Sequence, residues 1–266
     1  MRPVSAFVAV LLLLAPPLFA ADSLADARRL YNLGQYEAAA RAARQAAAVA
    51  STAHAARVVL GRIQLERFRQ TASPEDLADA RAALGTVDPA ALDPRERVEL
   101  AVGLGEALFL EERFGAASEV FDQVIDRTAV LGPSAHDRAL DWWATALDRD
   151  AQARPPAERY AVYVRIGQRM NEEAAKDPGS SAARYWIVAA ARNAGDLDRA
   201  WSGAIAAWIL APLGHDRGAT LRADLERLVV QAIIPERAAR LSPRDHAQAA
   251  SALLKEWEAF KRNWGG

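Results

Sequence analysis

Apolar residues recur every three or four positions along nearly the whole chain, and strand-like alternation is absent. Ala, Leu, Arg and Glu dominate, while Gly, Pro, Asp and Ser gather where the periodicity breaks. The pattern predicts helices over 23–33, 35–50, 53–70, 74–85, 94–111, 113–128, 134–151, 156–175, 180–194, 196–210, 217–238 and 243–262. With short linkers, these twelve group into six hairpins.

Several breaks carry helix-start chemistry. Ser73-Pro74-Glu75-Asp76 and Ser242-Pro243-Arg244-Asp245 each place a capping Ser before a Pro at the first helical position. Acidic side chains follow in the first turn, where the helix dipole favours them. Pro155-Pro156 and Asp177-Pro178-Gly179-Ser180 separate hairpins, and Pro235 predicts a kink or stop in the helix that begins near Arg217.

One spacing recurs across these hairpins. A small residue on one helix is followed twelve positions later by an Ala that opens a second apolar ladder. Ala27 precedes Ala39 and Ala43, and Leu104-Gly105 precedes Ala117 and Phe121. A looser copy has Val188 ahead of Ala200, Ala204 and Pro212. Small residues at such positions let two antiparallel helices approach closely. A compact helical bundle is the alternative all-α reading, and it does not require the spacing.

The segments resemble tetratricopeptide repeats, whose signature runs from a large residue through Leu-Gly and Tyr to Ala, an aromatic and Pro. The best copy spans Pro94 to Asp126, with Leu104-Gly105, Leu108, Phe114, Ala117, Phe121 and Val124. Another has Ala27, Leu30, Gly34, Tyr36, Ala39 and Ala46, and a third has Gly195, Leu197, Ala200, Ala207 and Pro212. In the third, Ile187-Val188 replaces Leu-Gly, and the branched side chain is expected to hold its helices further apart. In a degenerate unit, Leu60-Gly61 meets Ala80 and Leu84 seven residues late. The stretch 134–176 keeps helix-pair character without the signature, and the pair beyond Gly214 matches no consensus.

The resemblance implies an all-α, tetratricopeptide-like solenoid of about six hairpins in a right-handed superhelix, spanning 22–213, with non-consensus capping helices over 214–266. It also implies a concave groove lined by the first helix of each pair. Carried onto matching positions, that groove takes Arg28, Tyr31 and Asn32; Arg62, Leu65 and Glu66; Val102, Glu106, Phe109 and Leu110; and Tyr185, Ala189, Arg192 and Asn193. Aromatics mixed with Arg and Asn donors suit a peptide or an amphipathic ligand. For each residue, packing on a neighbouring repeat is the competing reading.

The N-terminus adds a location. Arg2, the apolar run from Ala6 to Ala15, Pro16-Pro17 and the small pair Ala20-Ala21 read as a signal peptide over 1–21, with an uncleaved anchor as the alternative. The run is shorter than the ~20 residues of a spanning helix, so no transmembrane segment is expected in the mature chain. With no cysteine, a lipidated terminus, disulfides and thiol chemistry are excluded. A periplasmic protein is the expectation. Net charge is −1, and −2 once Arg2 is removed, with no basic run to hold nucleic acid.

Candidate chemistry is sparse. His136-Asp137-Arg138 and His215-Asp216-Arg217 read either as metal or anion sites or as helix caps by the aspartates. Glu111-Glu112 and Glu172-Glu173 read as solvated polar faces. Trp142-Trp143 point about 100° apart on a helix, so one of them is expected to face the core. Trp201 with Trp208, and Trp257 with Phe260 and Trp264, form stripes suited to packing or to an apolar pocket. No hydrolase elbow, phosphate loop or zinc-protease motif occurs, and a helical murein hydrolase would need a Glu-Ser module that is absent. The expectation is a non-catalytic, cofactor-free scaffold that binds an envelope protein or peptide. A small-molecule or lipid-binding accessory of a transport system is the second reading.

Overall fold

A computed structural model describes residues 17–214 and 216–264, and those residues are helical with turns between. The expected signal segment lies outside the described residues up to position 16, as does His215. No described helix is long and apolar enough to cross a membrane. The chain divides into two compact units, Met1–Gly103 and Leu104–Gly266.

The first unit holds α1 (Pro17–Asn32), α2 (Tyr36–Ala47), α3 (Ala53–Thr71), α4 (Pro74–Gly85), a 3-10 turn (Pro89–Ala91) and the first part of α5 (Pro94–Leu110). Each helix packs on the next from α1 to α4, and α1 also touches α3. Ala27, Ala39, Ala43 and Ala46 are fully enclosed at the α1–α2 contact. Side chains this small set the close approach. Leu84 of α4 lies over Gly61 of α3, where an added Cβ would meet Leu84 Cγ at 2.5 Å, and it also borders Gly103.

In the second unit, α6 (Phe114–Val124) and a 3-10 turn (Ile125–Leu131) lead to α7 (Pro133–Ala151) and α8 (Pro156–Lys176). Next come α9 (Ser181–Asn193), α10 (Leu197–Leu210), a 3-10 turn (Ala211–Leu213), α11 (Ala219–Leu228), α12 (Ile234–Leu241) and α13 (His246–Trp264). Here too contacts run between sequence neighbours and between alternate helices: α9 touches both α7 and α11. Phe121 covers Gly105, and its ring would lie 2.8 Å from a Cβ there. In the third expected repeat the small residue has changed sides. A Cβ on Gly203 of α10 would lie 3.4 Å from Val188 Cγ2, so α10 supplies the space that the branched residue on α9 takes up.

Three inter-helix turns share one geometry. Gly34, Glu112 and Gly195 adopt left-handed φ values of 70°, 59° and 82°, each five residues before the repeat Ala. In each turn that residue's N–H reaches back three positions, and the next N–H reaches back five: Gln35 to Leu30, Arg113 to Leu108, Asp196 to Ala191. These paired bonds satisfy the last helix carbonyls. Asp196 then caps α10 through the Arg199 N–H.

Several expected details come out differently. Ser73 precedes α4, but its hydroxyl donates to Glu75 at 2.5 Å instead of accepting from the helix. Ser242–Asp245 forms a turn and α13 starts at His246, so Pro243 is not its first residue. Pro235 does not end its helix. A π turn at Val229–Ile233 joins α11 to α12 just ahead of it. A proline ring clashes with the carbonyl four residues back, here Gln231, and the wider turn relieves that conflict. Both members of the Trp142-Trp143 pair are buried, at 9% and 1% exposure, because α6, α8 and α9 all pack on α7. Trp142 meets Phe121, while Trp143 donates its indole N–H to Asp122 and lies beneath Arg165.

One apolar core joins α9 and α10 to the helices after them. Val188, Trp201, Ala204 and Trp208 pack with Leu221, Leu225, Ile233, Leu253 and Trp257. The Trp257 indole sits within 5.3–5.9 Å of the Trp208, Phe260 and Trp201 rings and donates to Glu226. Trp264, the last member of that stripe, is exposed.

Candidate binding cleft and the inner helix faces

The first unit brings three of the expected groove residues together and ties a fourth, Arg28, to α5. Tyr31 Oη of α1 contacts Glu66 Oε1 of α3 at 3.3 Å and accepts from Arg62 Nη2 at 3.3 Å. The Arg62 guanidinium also lies 4.9 Å from the Tyr31 ring centre. Arg28 donates to Glu96 of α5 at 2.7 Å and approaches Glu99, whose other partner is Arg95. Glu99 is almost wholly buried, and a buried carboxylate needs such cations beside it. These side chains are therefore engaged in interhelical bonds of the first unit itself. Asn32 lies exposed near the end of α1, and Leu65 is fully buried.

In the second unit, Glu106 and Leu110 stand on the last turns of α5, Glu106 buried and Leu110 part-buried. Phe109 meets Phe114 of its own helix pair edge-on at 5.4 Å. Val102, on the first unit's part of α5, and Ala189 of α9 are buried core residues.

A cleft of about 700 Å³ opens between α7, α9 and α11. α7 contributes Asp137, Asp141 and Asp148, which at i, i+4 and i+11 share one helical face. α9 contributes Tyr185 and Trp186, and Asp216, Leu221 and Asp224 come from the α11 side. Arg138 and Arg149 are the lining cations.

The carboxylates are held in place from below. Asp137 accepts from the Ser180 hydroxyl and from the Ser181 and Ala182 N–H groups, at 3.2 Å for both amides. It therefore caps α9, a helix 43 residues further on, and not its own. Asp141 accepts from the Trp186 indole at 2.8 Å. Asp148 Oδ1 accepts from Tyr163 at 2.9 Å and from Asn193 at 3.2 Å. Burial and Asp148 together push the Tyr163 phenol up to about 12. Tyr185 is also raised, first by burial and then by Asp224, Asp141 and Asp148, against the opposing pull of Arg192. The phenol thus senses a negative field from two sides of the cleft.

Asp216 caps its own α11 by accepting from Gly218 and Thr220 N–H groups at 2.8 Å, and the Thr220 side chain first, then these N–H groups, lower its pKa. Arg192 forms a bidentate pair with Glu236, tying α9 to α12. That hydrogen bond raises the Arg192 pKa above its usual range. Of the expected residues, Tyr185 lines the cleft, Asn193 orients Asp148, and Arg192 joins helices beside it. The α7 aspartates were missed because that stretch has lost the repeat signature onto which positions were carried. Their shared face was readable from spacing alone.

His136 has a different role from either expectation. Its Nδ1 lies 2.6 Å from Thr128 Oγ1 and its Nε2 lies 3.0 Å from Glu173 Oε2. Glu173 is 3% exposed, not solvated, and Arg169 and Lys176 also pair with it. Burial alone would raise its pKa; the bonds from His136 and Lys176 and the Arg169 charge outweigh that and hold it low. The hydroxyl–imidazole–carboxylate sequence has the order of a nucleophile chain. Thr128 is 0% exposed and bonds to the Ile125 carbonyl, so no substrate can reach it. Among the described residues no group of His, Asp and Glu side chains is arranged to hold a metal ion.

No protein-family model, curated protein or solved structure matches the chain.

Proposed function

We propose that this protein is an exported, non-catalytic helical-repeat scaffold of the tetratricopeptide-like solenoid type, which binds a peptide segment of another cell-envelope protein. The observation that carries the reading is the cleft where α7, α9 and α11, alternate helices of successive pairs, present their side chains to one space. Alternate helices that touch each other, three turns of one geometry, and a glycine at the α3–α4, α5–α6 and α9–α10 crossings all support a stacked-hairpin architecture. The N-terminal apolar run followed by Ala20-Ala21 supports export to the periplasm.

The lipid-binding reading drew on the tryptophan stripes. Trp201, Trp208 and Trp257 pack on each other in a shared core, so support passes to the peptide reading. The test is affinity capture from envelope extract with wild-type protein and with Tyr185→Ala. One partner recovered by wild type and lost with the variant supports the scaffold role. Equal recovery with both would place binding elsewhere, and murein digestion by the purified chain would replace the reading with an enzyme.

A further inference from the structure

We propose that the α7–α9–α11 cleft selects a basic side chain, a lysine or arginine carried on the partner's peptide segment. The inference rests on the scaffold reading and adds the chemistry of the partner. Five aspartates line the cleft against two arginines, so an anionic segment would be repelled and a cationic one drawn in. Its volume, about 700 Å³, is that of a site for a whole ligand, not a crevice between side chains.

Tyr185 and Trp186 stand edge to face, 5.6 Å between ring centres, on the α9 wall between the carboxylates of α7 and those of the α11 side. An aromatic wall accepts the methylene stem of a basic side chain, while the carboxylates meet its charged end. The acceptors are already aimed. Trp186 holds Asp141, the α9 N-terminus holds Asp137, and Tyr163 and Asn193 hold Asp148. Asp148 takes three bonds in all, Tyr163 and Asn193 on Oδ1 and the exposed Gln152 amide on Oδ2 at 3.3 Å, and an arriving cation replaces only the last of them. Asp224 faces them from α11, paired with Arg227 of its own helix. Acceptors fixed in advance lose little freedom when the cation arrives. Arg138 and Arg149, both exposed on α7, are the lining cations that compete for them.

The test uses the full chain and a fluorescein-labelled Ala-Lys-Ala-Lys-Ala peptide, read by anisotropy, with an uncharged norleucine version alongside. The lysine peptide is expected to bind at least tenfold tighter than its counterpart. Asp148→Asn with Asp224→Asn is expected to weaken it about tenfold at unchanged helix content, and Arg149→Gln to strengthen it about threefold. Rising salt is expected to weaken binding to wild type. Equal binding of the two peptides, no saturable binding of either, or no response to the Asp and Arg149 variants overturns the proposal. A partner still captured through Tyr185 in that case leaves the scaffold role standing and removes its basic-peptide chemistry.

Discussion

Leu84 rests on Gly61 as Phe121 rests on Gly105, although the first pair is separated by seven more residues of chain than the second. In both cases the large side chain of a second helix occupies the volume that a Cβ on the first would need. The extra length lies in the helices and not in the turn: α3 continues to Thr71 beyond Gly61, and α4 starts at Pro74 well ahead of Leu84, with only Ala72-Ser73 between them, so the packing relation survives one turn of helix further from the bend. Gly61→Ala is expected to cost about 1–3 kcal/mol through overpacking, despite the better helix propensity of Ala. Gly105→Ala should cost a similar amount, because Phe121 is wholly buried against Trp142. Urea midpoints of the two variants check this, and an Ala variant as stable as wild type would show that the crossings are loose.

Glu112 holds the left-handed position that Gly34 and Gly195 hold in the equivalent turns. A side chain there raises the energy of that conformation. Glu112→Gly should stabilise the protein by about 0.5–1 kcal/mol, with no change in helix content. A fall in melting temperature would mean that the Glu112 side chain makes a compensating contact.

Asp137 of α7 caps α9, the first helix of the next pair. Asp137→Ala strands the Ser181 and Ala182 N–H groups and should cost about 1–2 kcal/mol, with faster amide exchange in the first turn of α9. Asp137→Asn, which keeps an acceptor, should recover part of the loss. Unchanged exchange in Asp137→Ala would show that solvent serves those amides equally well.

The Glu173 carboxylate, held below its ordinary range by His136, Lys176 and Arg169, ties stability to acid. A carboxylate with a depressed folded pKa contributes fully above its unfolded value, and that contribution is lost as pH falls through the folded one. Stability should therefore fall below the ordinary carboxylate range, and Glu173→Gln should flatten the fall. Urea titrations across that acid range check it; parallel curves for wild type and variant would assign the acid sensitivity to other groups.

Much of the fold was legible because the chain states it locally. Pro133, Pro156 and the left-handed glycines mark helix ends, and the Ala ladders mark the faces that touch. What escaped was set by partners distant in sequence. Glu173 reads as a surface residue until His136, 37 positions earlier, is seen beside it. Val188 reads as a misfit until Gly203 is found opposite. Trp142 and Trp143 read as competitors for one core until α7 proves to be covered by three neighbours. The same limit hid the cleft, whose walls come from three helices spread over 134–224.

The scaffold reading requires partners to meet the chain in the cleft between α7, α9 and α11. Site-specific photo-crosslinking in living cells tests this directly, with a benzophenone amino acid replacing Tyr185 or Asp224 in the cleft and exposed Tyr160 on α8 as the outward control. One discrete crosslinked species is expected from both cleft positions and none from position 160. Crosslinks from position 160 alone, or the same pattern from all three positions, would contradict it.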